Sequence, residues 1–221
     1  MDEAHTRALT DALLPRYLDA QLRGDRREAL RLVVSEGLEL GVSVDDLFFR
    51  VIEPAQIEIG DRWQRNEISI AQEHLATAIS QLVISHLYAR LPRAAGNGHS
   101  VLVACAPGEH HELGARVAAD SLEMAGFSVR FLGANVPAES LAALVRDTHP
   151  DLVVISAATS LCFPGLRKML EAIRGADAHV PVFVGGRAFR WSDECPVPHG
   201  VVHAGKNAHD LVSAAREALA A

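Results

Sequence analysis

The sequence predicts an α/β protein in which an N-terminal four-helix bundle is followed by a domain built on a five-stranded parallel sheet with helices on both faces. Over residues 3–90 apolar residues recur at helical spacing and strand signals are absent. Beyond His99 short, continuous apolar runs alternate with amphipathic helices, the pattern of a parallel sheet buried on both sides. Between the two regions, Leu91 to His99 is rich in small and turn residues, as a linker is. The boundary falls near residue 95, giving domains 1–94 and 95–221.

In the first domain Leu9, Leu13, Leu14, Tyr17 and Leu18 form one apolar face, and Leu30, Leu32, Val33, Val34 and Leu38 form the next. Gly24-Asp25 separates the first helix from the second, with Asp25 as N-cap. Gly41-Val42-Ser43 separates the second from the third, and Ser69-Ile70-Ala71-Gln72 has capping-box spacing for the fourth. In the second domain strands are expected at 101–106, 128–132, 152–156, 182–185 and 201–203, with helices at 113–125, 139–148, 163–174 and 208–220. Ligands of such sheets bind beyond the carboxyl ends of the strands.

The chain of 221 residues is long enough for two domains that each bury a core, and 49% hydrophobic with 22% charged residues is an ordinary globular composition. A formal net charge of −7 lacks the clustered cationic surface that phosphate binding needs. The arginines from Arg23 to Arg31 are interleaved with Asp25 and Glu28, as on a solvated helix face, so direct nucleic-acid binding is not expected. No stretch approaches the roughly 18–20 apolar residues of a membrane span, and the N-terminus has no signal-peptide layout, so the expectation is a cytoplasmic protein without a membrane partner. Cys105, Cys162 and Cys195 have no CxxC spacing and read as reduced, buried thiols.

The loop after the first strand runs from Ala106 to Gly114 and places His110 and His111, flanked by Glu109 and Glu112, at the ligand-binding edge. From the residues alone two readings stand: a cation site such as zinc, although the HExxH spacing is missing, or a polar loop without a ligand.

Glu109-x-His111-x-x-Gly114 resembles the Asp-x-His-x-x-Gly signature of cobalamin-binding domains, and its companions lie in register downstream. Forty-one residues separate Gly114 from Ser156, and 26 separate Ala158 from Gly185, matching that family's Ser-x-Leu and Gly-Gly elements. The resemblance implies a flavodoxin/Rossmann-like domain. In it His111 is the lower axial ligand of cobalt, replacing the cofactor's own benzimidazole, and Glu109 hydrogen-bonds the other ring nitrogen. It further implies that Gly114 borders the nucleotide tail, Ser156 lies near the buried base, and Gly185 and Gly186 leave room for the tail. Thr159 and His110 add polar contacts. Two positions depart from the pattern: Glu109 stands for Asp, and Ala158 for Leu, which widens the channel.

Upstream, Trp63 is followed ten residues later by Glu73-His74. Read alone, Trp63 is bundle core and His74 a satisfied core or interface histidine. Together with the downstream motif the segment resembles the cap of light-sensing cobalamin regulators of the CarH type, in which Trp, Glu and His surround the upper axial adenosyl group. The resemblance implies adenosylcobalamin, or another cobalamin, between bundle and sheet domain. Trp63 would be the aromatic wall, and Glu73 and His74 the anchors of ribose or adenine. Breaking the cobalt–carbon bond with light would release the cap, a ligand-dependent switch. Regulators of this type carry an N-terminal helix-turn-helix domain, whereas this sequence begins at the bundle. Output is therefore expected through a protein partner or self-association, with a homodimer the expected assembly. Gln64 stands where the type has a histidine that takes the upper cobalt site after photolysis, so a bis-histidine photoproduct through that position is not expected.

The expected function is a light-responsive cobalamin sensor. The alternatives are a corrinoid carrier passing methyl groups between methyltransferase partners, and a flavodoxin-like or metal-dependent binding module without corrinoid. No activated nucleophile pair or second substrate motif occurs, so the chain is not expected to be an enzyme. His86, His199 and His203 have no assigned role.

Overall fold

The computed structural model describes residues 2–191, 201–203 and 207–220, so Cys195, His199 and the side chain of His203 lie outside the described residues. The chain divides into two compact units, Met1–Leu91 and Pro92–Ala221.

The first unit is helical. Helix α1 is Glu3–Leu22. Helix α2 begins as Arg26–Leu30 and continues through a π-helical stretch, Arg31–Gly37. Helix α3 comprises Val44–Leu47, a π-helical stretch Phe48–Ile52, and Glu53–Gln64, and α4 is Ile70–Tyr88. Side-chain acceptors start each helix: Asp2 takes the N–H of His5, Asp25 that of Glu28 and Ser43 that of Asp46, while Ser69 and Gln72 complete the capping box. Each cap satisfies an N–H that the helix itself cannot, worth about 1 kcal/mol.

Leu13, Tyr17, Leu32, Val33, Leu47, Phe48, Ile52, Ile59, Val83 and Ile84 form the interior. Burying each such side chain contributes about 1.5–3 kcal/mol before the entropy of ordering it. The buried stripe of α1 differs from the apolar face expected of it. It consists of Thr6, Thr10, Leu13, Tyr17, Ala20 and Gln21, while Leu9, Leu14 and Leu18 are only partly covered. Thr10 returns its hydroxyl to the carbonyl of Thr6 at 3.1 Å, which lets a polar residue sit in the interior. In α2 only Leu32 and Val33 of the expected face are fully buried. A π-helical turn adds a residue to the repeat and rotates the following faces, which a fixed period of 3.6 does not follow.

The second unit is a parallel sheet between helices. Its elements are β1 (Ser100–Cys105), α5 (Leu113–Met124), β2 (Ser128–Phe131), α6 (Ala138–Thr148), β3 (Leu152–Ser156), α7 (Phe163–Ala176), β4 (Val182–Gly185), α8 (Ala188–Trp191), β5 (Val201–His203) and α9 (Ala208–Leu219). The order is β2-β1-β3-β4-β5, with three-residue β5 pairing onto β4 at the edge. Alternate residues of the central strands face opposite cores. Leu102, Ala104, Val153, Ile155, Val182 and Val184 pack under α6 and α7. Val101, Val103, Leu152, Val154 and Phe183 pack under α5 and α9. This double burial explains why the strands read as unbroken apolar runs.

Among the described residues no helix is long and apolar enough to cross a membrane.

Candidate functional site

The strand order reverses direction between β1 and β3, and the crevice outside their carboxyl ends is where a doubly wound sheet holds its ligand. Cys105, Ser156 and Gly185 are paired in one row across β1, β3 and β4 at that edge. The loops that leave this row carry Glu109, His110, His111, Thr159 and Gly186, and Gly114 lies in the first turn of α5 behind the first of them, so sequence positions far apart meet at one sheet edge.

Glu109 is the centre of the arrangement and is 1% exposed. Its Oε1 accepts the backbone N–H of His111 at 2.8 Å and lies 2.6 Å from His111 Nδ1. Its Oε2 accepts the N–H groups of Ala158 at 2.7 Å and Thr159 at 3.1 Å, and the thiol of Cys162 at 3.4 Å. Burial opposes ionisation of this carboxyl. The His111 ring and the N–H groups of His111 and Ala158 outweigh that cost and hold its pKa down at about 2. An ionised carboxylate beside Nδ1 places the imidazole proton there, and the ligand lone pair is then on Nε2. The His111 side chain is 65% exposed. The donor set is thus an oriented imidazole whose partner is locked from behind.

Cys105 and Cys162 are buried and held as thiols. Burial, then the charges of Glu109 and Glu112, push Cys105 up to about 12. Burial also raises Cys162, against a hydrogen bond with Thr159, so Cys162 serves Glu109 as an S–H donor. Sequence reasoning took Cys162 only as a buried thiol and missed this contact, because its partner lies 53 residues away. It also missed Asn135, which adopts φ 50°. Asn135 donates its N–H to the Glu109 carbonyl at 2.8 Å and accepts the N–H of Gly108 on Oδ1 at 2.8 Å. Glu112 braces the same region by accepting the N–H of Ala134 at 3.0 Å.

Two glycines permit close approaches. A Cβ on Gly165 would lie 2.6 Å from the Pro107 carbonyl, so the first turn of α7 packs directly on the His111 loop. Gly186, at φ 113°, would drive a Cβ into the Ala157 carbonyl, which already accepts the N–H of Ala188. A Cβ on Gly114 would meet open space, consistent with room for a ligand there. His110 and Gly114 are exposed, and Ser156 and Thr159 are half-buried. Among the described residues no three His, Cys, Asp or Glu side chains are grouped to hold a metal ion by themselves, so the zinc reading finds no ligand set.

The other expected contacts lie in the helical unit. Trp63, near the end of α3, is 43% exposed rather than core. Glu73 and His74 share the start of α4, where His74 Nδ1 lies 2.5 Å from Glu73 Oε2 and Thr77 donates its hydroxyl to Glu73 Oε1 at 2.9 Å.

A family model described as a B12 binding domain matches residues 99–212, and a second model with the same description matches residues 2–88. The HTH-type transcriptional repressor CarH of Myxococcus xanthus is 37% identical over 145 residues, 65% of this chain and 48% of the repressor. The chain thus spans about half the length of the curated repressor it matches. The dimethylamine corrinoid protein 3 of Methanosarcina acetivorans is 24% identical over 214 residues, 95% of this chain and 98% of that protein. Among solved structures, the monomethylamine corrinoid protein of Methanosarcina barkeri superposes with a TM-score of 0.79 at 20% identity, covering 94% of this chain and 98% of the other, which shows a shared fold.

Proposed function

The chain belongs to the B12 binding domain family and binds cobalamin, and on that premise we propose that it is a light-responsive sensor of adenosylcobalamin with His111 as the lower ligand of cobalt. The observation that carries the lower-ligand assignment is the contact of His111 Nδ1 with the buried Glu109 carboxylate, which defines the tautomer and raises the basicity of Nε2. Ser156, Thr159, Gly114, Gly185 and Gly186 would border the nucleotide tail. His110 adds a polar contact.

When bound, the cofactor supplies a cobalt–carbon bond that light breaks. The helical unit's part is to recognise the upper axial group: exposed Trp63 offers an aromatic face, and Glu73 and His74 offer an acceptor and a donor to a ribose or adenine. Trp63, Glu73 and His74 would lose these contacts without that group, and the packing of the helices or their association, into a homodimer or onto a protein partner, would then change. Gln64 is a poor cobalt ligand compared with imidazole, so the illuminated form has no histidine from this position.

The sensor reading is favoured by the CarH relative and by Trp63 with Glu73-His74. A second reading, a corrinoid carrier serving methyltransferase partners, is favoured by the near full-length likeness to the dimethylamine corrinoid protein. In both, the chain binds and presents the cofactor and is not itself the enzyme.

The deciding experiment is the absorption spectrum of protein reconstituted with adenosylcobalamin in darkness and after green light, with sizing chromatography of both samples. A photolysis spectrum with a changed elution volume is expected. Bound cofactor whose photolysis leaves assembly unchanged, with methyl transfer to the protein by a methyltransferase, would establish the carrier.

A further inference from the structure

The interior of the helical unit holds a polar network that ends at Glu73. Ser80 donates its hydroxyl to Gln56 Oε1 at 3.1 Å and lies 2.8 Å from the Tyr17 hydroxyl. With its single hydrogen committed, Ser80 accepts from Tyr17. Gln56 Nε2 lies 3.0 Å from Thr77 Oγ1, and Thr77 gives its own hydrogen to Glu73 Oε1 at 2.9 Å. Each donor therefore points the same way, from Tyr17 through Ser80, Gln56 and Thr77 to the carboxylate. Such a chain polarises its members and strengthens the terminal bond.

The residues lie on three helices. Glu73, Thr77 and Ser80 share one face of α4, Gln56 is on α3, and Tyr17 is on α1 with Gln21 one turn further on. Gln21 Nε2 lies 2.8 Å from Gln56 Oε1 and 3.0 Å from the carbonyl of Ala76, pinning α1 to both neighbours. Tyr17, Gln21 and Ser80 are fully buried, so the inner end of the network cannot exchange its bonds with water without opening the helices, whereas Gln56, Thr77 and Glu73 are half-buried. Burial also raises the pKa of the Tyr17 phenol, which keeps it a donor. Among the described residues of the helical unit, Gln21 Oε1 is a buried side-chain atom without a partner, and as an acceptor it cannot replace a donor lost at Glu73.

We infer that Thr77 and Gln56 are positioning residues for Glu73, and that the network couples the orientation of this carboxylate to the packing of α1, α3 and α4. This rests on the reading that Glu73 meets the upper axial group. It adds that preference for a hydroxyl-bearing group such as adenosyl over methyl is set from inside the helical unit, by the donor that holds Glu73 in place.

Two measurements test it. In cofactor-free protein, Glu73→Ala, which removes the acceptor of the Thr77 hydroxyl, and Ser80→Ala, two helical turns apart, form a double-variant cycle read by urea unfolding. Transmission through Thr77 and Gln56 requires the unfolding constant of the double variant to depart from additivity by about two-fold or more. Additive effects would overturn the network as a coupled unit. In reconstituted protein, Thr77→Val keeps the side-chain shape and removes the hydroxyl. It is expected to lower the preference for adenosylcobalamin over methylcobalamin by about five-fold. Thr77→Ser is expected to restore it. An unchanged preference in Thr77→Val would overturn the positioning role. A wild-type protein that binds both cobalamins equally would instead overturn the sensor reading, and the urea cycle would still decide the network.

Discussion

Glu109 Oε2 accepts the backbone N–H of Ala158 at 2.7 Å, tying the loop after β1 to the loop after β3 across the point where the strand order reverses. The same carboxylate reaches His111 with its other oxygen, so the longer side chain spans both loops and orients the imidazole.

Glu109→Gln replaces an acceptor-only group with an amide whose NH2 must face a donor. A buried mismatch of this kind costs about 1–3 kcal/mol, read as a lower urea midpoint of the cofactor-free protein. Loss of the partner behind the ligand is expected to weaken cobalamin binding by about 10–100-fold in an absorbance titration.

His111→Ala removes a largely exposed ring but takes from the buried Glu109 carboxylate its side-chain partner, so the cofactor-free protein should lose about 1–3 kcal/mol of stability. The bound cofactor should lose its histidine-ligated spectrum. An unaltered spectrum would place the lower ligand elsewhere.

Gly186→Ala forces a Cβ toward the Ala157 carbonyl in a left-handed conformation. Destabilisation by about 1–3 kcal/mol is expected, with a lowered Tm. Gly114→Ala, whose Cβ meets open space, should leave the cofactor-free Tm near wild type and affect only cobalamin uptake.

Asp120 on α5 is buried, with Oδ2 lacking a partner, and burial raises its pKa to about 7. The folded chain therefore holds a proton between about pH 4 and pH 7 that the unfolded chain has released. This group's contribution is fully present below about pH 4, declines as pH rises through 7, and is flat above. Asp120→Asn, neutral at every pH, should remove that decline. The variant should be more stable than wild type at pH 8 by on the order of 2 kcal/mol and indistinguishable near pH 4.

Cys105 and Cys162 should resist a thiol reagent at pH 8 in a Cys195→Ser background and react on unfolding, because both are buried and their thiolates disfavoured. Rapid labelling of the folded protein would show that the loop after β3 opens.

The sheet domain was legible because its strands are covered on both faces and its helices on one. The expected bounds of β3, β4 and β5 coincide with those found, and the helix ends differ by one or two residues. The helical unit was less so. Thr6, Thr10 and Gln21 are buried on α1 where a hydropathy pattern looks for leucines, since the two hydroxyls find acceptors one turn back and the Gln21 NH2 finds them on α3 and α4. Trp63, which read alone is bundle core and read with the downstream motif is an aromatic wall for a cofactor, is partly exposed.

The α/β order of elements, the capped starts of the helices and the placement of Glu109-x-His111-x-x-Gly114 after a strand follow from the order of residues, because period, capping residues and motif spacing act along the chain. The burial of Glu109, the supply of donors to its Oε2 by Ala158, Thr159 and Cys162, and the alignment of Tyr17, Ser80, Gln56 and Thr77 behind Glu73 arise in the folded chain. Those contacts join residues distant in sequence, and a polar group's tolerance of burial depends on which partner the fold brings to it.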